Sequence, residues 1–224
     1  MCFSAKASFI ANAALAVCGV AIIKKSSTKK LKPLAAIPFA FAVQQALEGM
    51  VWVTINHSNT DSILHLFAMY GFLFFATIWW PAYMPWVFYI IESDRQHKKW
   101  LWNCVLAGII VASIALLCMI FIGYNAQVID HHIAYLFAKP YIPQSLYYIC
   151  LLVYLYATAG SMLISSIPYM RLFGFFIMAS CIIVHIGWPI AFGSLWCFIA
   201  AIGMMGIYTI IAHQESLIKK RYYT

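Results

Sequence analysis

The sequence predicts an all-α fold, a polytopic membrane bundle of seven transmembrane helices. It forms a single domain over residues 1–224, with the amino terminus outside and the carboxyl terminus in the cytoplasm. Three observations predict it. Apolar side chains make up 65% of the chain and charged ones 9%, where a soluble domain is about a quarter charged. The apolar residues fall in continuous runs of about 20, enough to carry a helix across hydrocarbon and too long for barrel strands. The basic residues gather in alternate loops.

The first run, 3–23, has Lys6 as its only n-region charge, no A-x-A cleavage site follows it, and Lys24, Lys25, Lys29, Lys30 and Lys32 come after it. It reads as a retained span and not a signal peptide. The second run is 33–55. The third, 63–91, is long and carries Pro81 and Pro85 in "WWPAYMPW", so a tilt or kink is expected there. Arg95, Lys98 and Lys99 follow it, then the fourth run, 101–122. A loop, 123–144, contains "IDHHIAYLFAKPYIPQ". Its length suggests function and its aromatic content suggests a flap or an anchor at the membrane surface. The fifth run is 145–165, and Arg171 opens the sixth, 172–192. A tight turn near Gly193 leads to the seventh, 195–213, and the tail carries Lys219, Lys220 and Arg221. Only Lys6 and Lys139 fall on the opposite side, so the positive-inside rule sets the orientation.

A formal charge of +8 would suggest nucleic acid in a soluble protein. Here the bases set topology instead, and no nucleic-acid partner is expected. Seven cysteines show no C-x-x-C pair. Cys18, Cys104, Cys118 and Cys150 fall inside apolar runs as small hydrophobes, and no disulfide framework is readable.

The informative residues are the polar ones inside the spans. "QQALEGMVW" places Gln44, Glu48 and Trp52 on one helix face, with Gln45 beside them, and Glu48 about two turns below the outer surface. A charge in a span costs roughly 2.5–3.5 kcal/mol and is normally paired or faces a polar cavity. No span supplies a lysine or arginine for Glu48. Its candidate partners are His185, a histidine of the long loop, glutamine side chains, a metal, or a proton of its own. Cys181 and His185 share a face of the sixth helix, His65 opens the third, and Asp130, His131 and His132 lie in the long loop. Cys2 and Ser4 begin the chain, and Trp196 and Cys197 begin the seventh helix, on the same side.

Histidine and carboxylate together suit zinc or iron, and three protein ligands with an open position would activate water. The expected metal set is Glu48, His185, His132 and Cys2, with Glu48 as ligand or general base. Gln44, Gln45, Trp52, His65, Cys181, Trp196 and Cys197 are the expected binding surround. A hydrogen-bonded cluster that joins helices two, six and seven is the structural alternative. Glu92 and Asp94, near Arg95, are expected in a solvated loop.

"MCFSAKASF", "VQQALEGMVW" and "WCFIAA" resemble a family of uncharacterised bacterial polytopic membrane proteins that begin MCFSA-x-ASF. The resemblance spans nearly the whole chain and implies a multi-pass protein of the bacterial inner membrane. It draws attention to Cys2, Ser4, Gln45, Glu48, Trp196 and Cys197, and it carries no reaction. Likeness to ceramidase-type hydrolases is in chemistry class only, because the chain has no H-x-x-x-H pair. "PQ" at 143–144 is similar to PQ-loop transporters, with no second copy. Retinal proteins need a lysine in the last span, and 195–213 has none.

Two functions are expected from these residues. One is a membrane-embedded metal-dependent hydrolase acting on a lipid or small apolar substrate. The other is a small-molecule or proton-coupled transporter or sensor with Glu48 as a protonatable gate. The cytoplasmic halves of the spans are largely apolar, which points to a one-sided pocket.

Overall fold

The computed structural model describes residues 4–25, 29–139, 143–167 and 169–206. Cys2, positions 207–213 of the seventh run and the basic tail lie outside the described residues. Helix α1, Ala5–Lys25, is started by Ser4, whose hydroxyl accepts from the Ala7 N–H at 3.3 Å. Helix α2, Ile37–Asn56, follows a short lead-in from Lys29. Then come α3, Ile63–Ile91, and α4, Arg95–Phe121. After the strands described below come α5, Gln144–Ile164, α6, Met170–Gly187, and α7, Phe192–Gly203. Among the described residues, six helices are long and apolar enough to cross a membrane; α7 is apolar but shorter.

Burial explains where polar residues are tolerated. The second crossing segment is 67% buried, against 28–39% for the other five. It is the central helix, flanked by α1, α3 and α7. By contrast α4 turns Ile109, Ile110, Leu117 and Ile120 outward, an apolar exterior that suits lipid and not water. Glu48 therefore faces protein.

The predicted kink in α3 has a specific form. Pro81 has no N–H and its ring crowds the preceding turn. The helix widens to a π turn over Phe74–Trp79, and the Trp80 N–H bonds the Phe75 carbonyl. The Ala76 carbonyl, deprived of both Trp80 and Pro81 as donors, accepts the Tyr154 hydroxyl of α5 at 2.9 Å. Pro85 likewise frees the Pro81 carbonyl, and Gly108 of α4 lies against it. A Cβ at Gly108 would collide with that oxygen. A second π turn, Tyr156–Gly160, interrupts α5.

The expectation of an all-α chain needs a correction. The long loop is a β-hairpin, β1 Tyr124–Ile129 and β2 His132–Phe137, paired antiparallel from Tyr124↔Phe137 to Ile129↔His132. Asp130 and His131 form its turn with φ of 46° and 64°. Positive φ at both central positions is the I′ geometry that matches strand twist, and Asp and His enter that region more readily than most residues. The hairpin lies over the ends of α2 and α7. The Tyr124 N–H donates to the Tyr70 hydroxyl at 3.4 Å, which ties it to α3.

At the opposite end three loops meet. The Lys30 ammonium donates to Ser93 Oγ at 3.2 Å and the Tyr83 hydroxyl to the Pro33 carbonyl at 2.9 Å. Glu92, expected to be solvated, is 2% exposed. Its carboxylate accepts from the Ser93 N–H at 2.8 Å, the Asp94 N–H at 3.0 Å, the Ser166 N–H at 2.9 Å and the Ser166 hydroxyl at 2.7 Å. Burial pushes its carboxyl up, but the bonds from Ser166, Asp94 and Ser93 outweigh this and hold it below the ordinary value. Asp94 caps α4 through the Gln96 and His97 N–H groups.

Candidate functional site

The site is built on α2. Three residues of one turn, Gln44, Gln45 and Glu48, are all buried. Gln45 Nε2 donates to Glu48 Oε2 at 3.2 Å, and the Ser194 hydroxyl of α7 donates to Glu48 Oε1. Gln44 Oε1 accepts from Trp80 Nε1 at 2.7 Å, while Trp80 stacks on Phe41 at 3.9 Å. One helical face of α2 is thereby bonded to α3 and α7. Cys197, one turn after Ser194, lies beside both Gln44 and Glu48. Gln44 Nε2, Gln45 Oε1 and Trp52 Nε1 are buried without a protein partner.

Next to this network is a cavity of about 260 Å³. Its roof is the hairpin, through Tyr124, Tyr135 and Phe137. Its walls come from α3, α4 and α5, and Trp196 and Cys197 of α7 close the floor. The lining is apolar apart from tyrosine hydroxyls, cysteine thiols and Thr77. Glu48 does not line it, but Tyr135 and Cys197, which do, are within its electrostatic reach. The Tyr135 ring stacks on Phe72 at 4.7 Å, and its hydroxyl has no protein partner. Burial, with Glu48 and Cys197 nearby, holds that hydroxyl well above the ordinary tyrosine range, so it keeps its proton at neutral pH and can donate a hydrogen bond.

A second, more open cavity of about 340 Å³ adjoins the first and shares Phe137, Tyr147 and Pro189 with it. His185, Gln144 and Tyr148 complete its lining. His185 sits among aromatic rings, edge-on to Phe192 at 5.3 Å and to Tyr148 at 5.8 Å, and its Nδ1 is buried without a protein partner.

The expected metal set is not assembled. Among the described residues no three of His, Cys, Asp and Glu stand close enough to hold an ion. Glu48 is in the α2 network, His185 in the outer cavity, and His132 at the end of the hairpin opposite Ile129. His131 is a turn residue, and Cys2 lies outside the described residues. His65 is buried at 3% exposure with Nδ1 2.7 Å from Thr54 Oγ1, a bond that joins the facing ends of α2 and α3. Cys181 packs in the apolar core of α6. Trp196 Nε1 donates to Ser180 Oγ at 3.2 Å, which fixes its ring at the cavity floor.

Sequence reasoning passed over Ser194, Tyr135 and Tyr154. Ser194 precedes Cys197 by three residues and shares its helix face, a readable signal. Tyr135 would have followed from period-two alternation in "HIAYLF" once a strand was considered. Tyr154 carried no signal, because its partner carbonyl exists only through the π turn.

A membrane-type helical chain with a buried carboxylate network beside an apolar cavity is the class that fold and site define. The chain belongs to a family of unknown function, DUF6629, whose model matches residues 1–221. No curated protein and no solved structure matches it.

Proposed function

We propose that the protein is a seven-crossing membrane protein with its amino terminus outside, and that its outward half holds a chamber for a small apolar or amphiphilic ligand. It acts as a small-molecule transporter or sensor, with Glu48 as its proton-exchanging residue. The cavity beneath the hairpin carries the reading: about 260 Å³ of largely apolar space sits beside the sole carboxylate of the six crossing helices. The loops that carry Lys30, Arg95 and Arg171 are joined by the Lys30–Ser93 and Glu92–Ser166 bonds. Those bases therefore gather at one end, away from the hairpin, which supports the orientation.

The hydrolase reading fits this geometry less well. Its donors are apart among the described residues, and Glu48 does not line the chamber. A carboxylate outside the lining is better placed to hold a proton than to attack a bound substrate.

Native mass spectrometry of the full chain in lipid nanodiscs tests the proposal. The wild type is expected to retain a bound small molecule that Ala115→Trp, which fills the cavity, releases. Equal retention by both proteins refutes the chamber. Labelling of an engineered cysteine at position 131 by a membrane-impermeant reagent on intact cells tests the orientation, and protection there with labelling at position 97 would reverse it.

A further inference from the structure

We propose that the occupant is a single-chain aliphatic carboxylate, a fatty acid, with its tail in the chamber and its head in the outer cavity beside His185. This rests on the chamber reading above and adds the chemistry of the ligand.

The two cavities form one amphipathic path. The inner one offers apolar walls such as Phe72, Val111 and Leu151, and the outer one places His185, Gln144 and Tyr148 around an open space. The shared residues Phe137, Tyr147 and Pro189 mark the passage between them. A wholly apolar ligand would leave the outer groups unused. A wholly polar one would have to occupy a space with almost no polar lining.

The tail count follows from size. The inner cavity lies just below the ~300–1,000 Å³ of ordinary small-molecule sites, so it holds one chain and not the two of a diacyl lipid. The head follows from the donors. His185 lines this space, and Gln144 Nε2 and the Tyr148 hydroxyl, 3.4 Å apart, flank it. All three groups can donate to an oxygen anion. Among the described residues neither cavity is lined by an aspartate or glutamate, which disfavours a cationic head. Nor, among them, does a lysine or arginine line either one, so a doubly charged phosphate would lack countercharge, whereas a carboxylate needs only one good donor pair.

Photolabelling of the full chain in nanodiscs tests this with three probes that share one medium-length chain and a terminal diazirine. One ends in a carboxylate, one in an alcohol and one in an ammonium. The carboxylate probe is expected to label the inner cavity, at residues such as Cys150 and Ala115, and to be displaced by unlabelled decanoate. His185→Ala is expected to weaken it about tenfold, the scale of one hydrogen bond to a charged group, and to leave the alcohol probe unchanged. Cys150→Trp and Ala115→Trp, each checked for a wild-type elution profile, should abolish inner labelling by every probe. Equal labelling by all three heads, or no effect of His185→Ala, overturns the fatty-acid assignment and leaves the chamber standing. Labelling confined to the lipid-facing surface overturns both.

Discussion

Glu48 separates a hydrogen-bonding role from a charge role, because its replacements by alanine and by glutamine differ in what they leave unpaired. In Glu48→Ala the Ser194 hydroxyl and the Gln45 amide lose their acceptor in a buried site. Each orphaned donor costs about 1–3 kcal/mol. Ser194 can turn back to a carbonyl of its own helix, so the total comes to about 2–4 kcal/mol. At about 2–4 °C per kcal/mol for a chain of this length, Tm should fall by roughly 4–16 °C. Glu48→Gln keeps an acceptor for Ser194. Its new amide can donate to Gln45 Oε1, which has no protein partner, once the Gln45 amide reverses. The expected cost is below about 1 kcal/mol, or within about 4 °C. Thermal unfolding in nanodiscs, followed by intrinsic tryptophan fluorescence, measures both. If Glu48→Gln were as damaging as Glu48→Ala, the charge and not the hydrogen bonds would hold α2 to α7. If Glu48→Ala were neutral, the network would not join those helices at all.

Glu92 has a depressed folded carboxyl pKa, so its contribution is present above the unfolded value and is lost as pH falls through the folded one. Thermal stability should therefore decline on the acid side of the ordinary carboxylate range, and Glu92→Gln should flatten that slope; an unchanged slope contradicts the assignment. Gly108→Ala drives a Cβ against the Pro81 carbonyl and should cost more than about 2 kcal/mol or abolish folded yield, with Gly187→Ala, which meets nothing within 4 Å, as the neutral control. Tyr154→Phe leaves the Ala76 carbonyl unsatisfied and should cost about 1–3 kcal/mol, read as a Tm shift. Replacing Asp130 with Asn and His131 with Gly suits the turn's positive φ and should raise hairpin protection in hydrogen exchange without changing ion content by elemental analysis.

The crossing segments were legible because lipid imposes one solution on the backbone: long apolar runs that satisfy their own hydrogen bonds. Observed helix ends fall within six residues of the runs for α1 through α6, the start of α4 and the end of α6 departing most. That Gln44, Gln45 and Glu48 point inward was also legible, since exposing them to hydrocarbon would be costly. The hairpin was not. The stretch "DHH" offers His131 or His132 as a ligand on residue type alone, and nothing in it announces that Asp130 and His131 meet the conformational need of a tight turn. Nor was the role of Glu92. Sequence neighbours Asp94 and Arg95 suggested solvent, and the true partner, Ser166, lies 74 positions away. Long-range partners of this kind become visible only when the topology brings two loops to one end.

The two ends of the molecule differ in how fully their polar groups are paired, and this bears on which end works. The end with Glu92 is closed by bonds among three loops, and each carboxylate oxygen of Glu92 is used. Toward the hairpin, Gln44 Nε2, Gln45 Oε1, Trp52 Nε1, Tyr135 OH and His185 Nδ1 are all buried without protein partners, five of the seven such atoms among the described residues. Each would cost about 1–3 kcal/mol if it stayed unsatisfied, a burden that a site concerned only with stability would shed. Tyr135 lines the inner cavity and His185 the outer one, while the other three are on α2. The hairpin carries one of them, Tyr135, within the electrostatic reach of Glu48. In the proposed reading, Tyr135 is the side chain through which ligand occupancy and the state of the carboxyl would be coupled. Tyr135→Phe should break that coupling: ligand affinity measured by native mass spectrometry should lose its dependence on pH, while an unchanged pH dependence would place the coupling elsewhere.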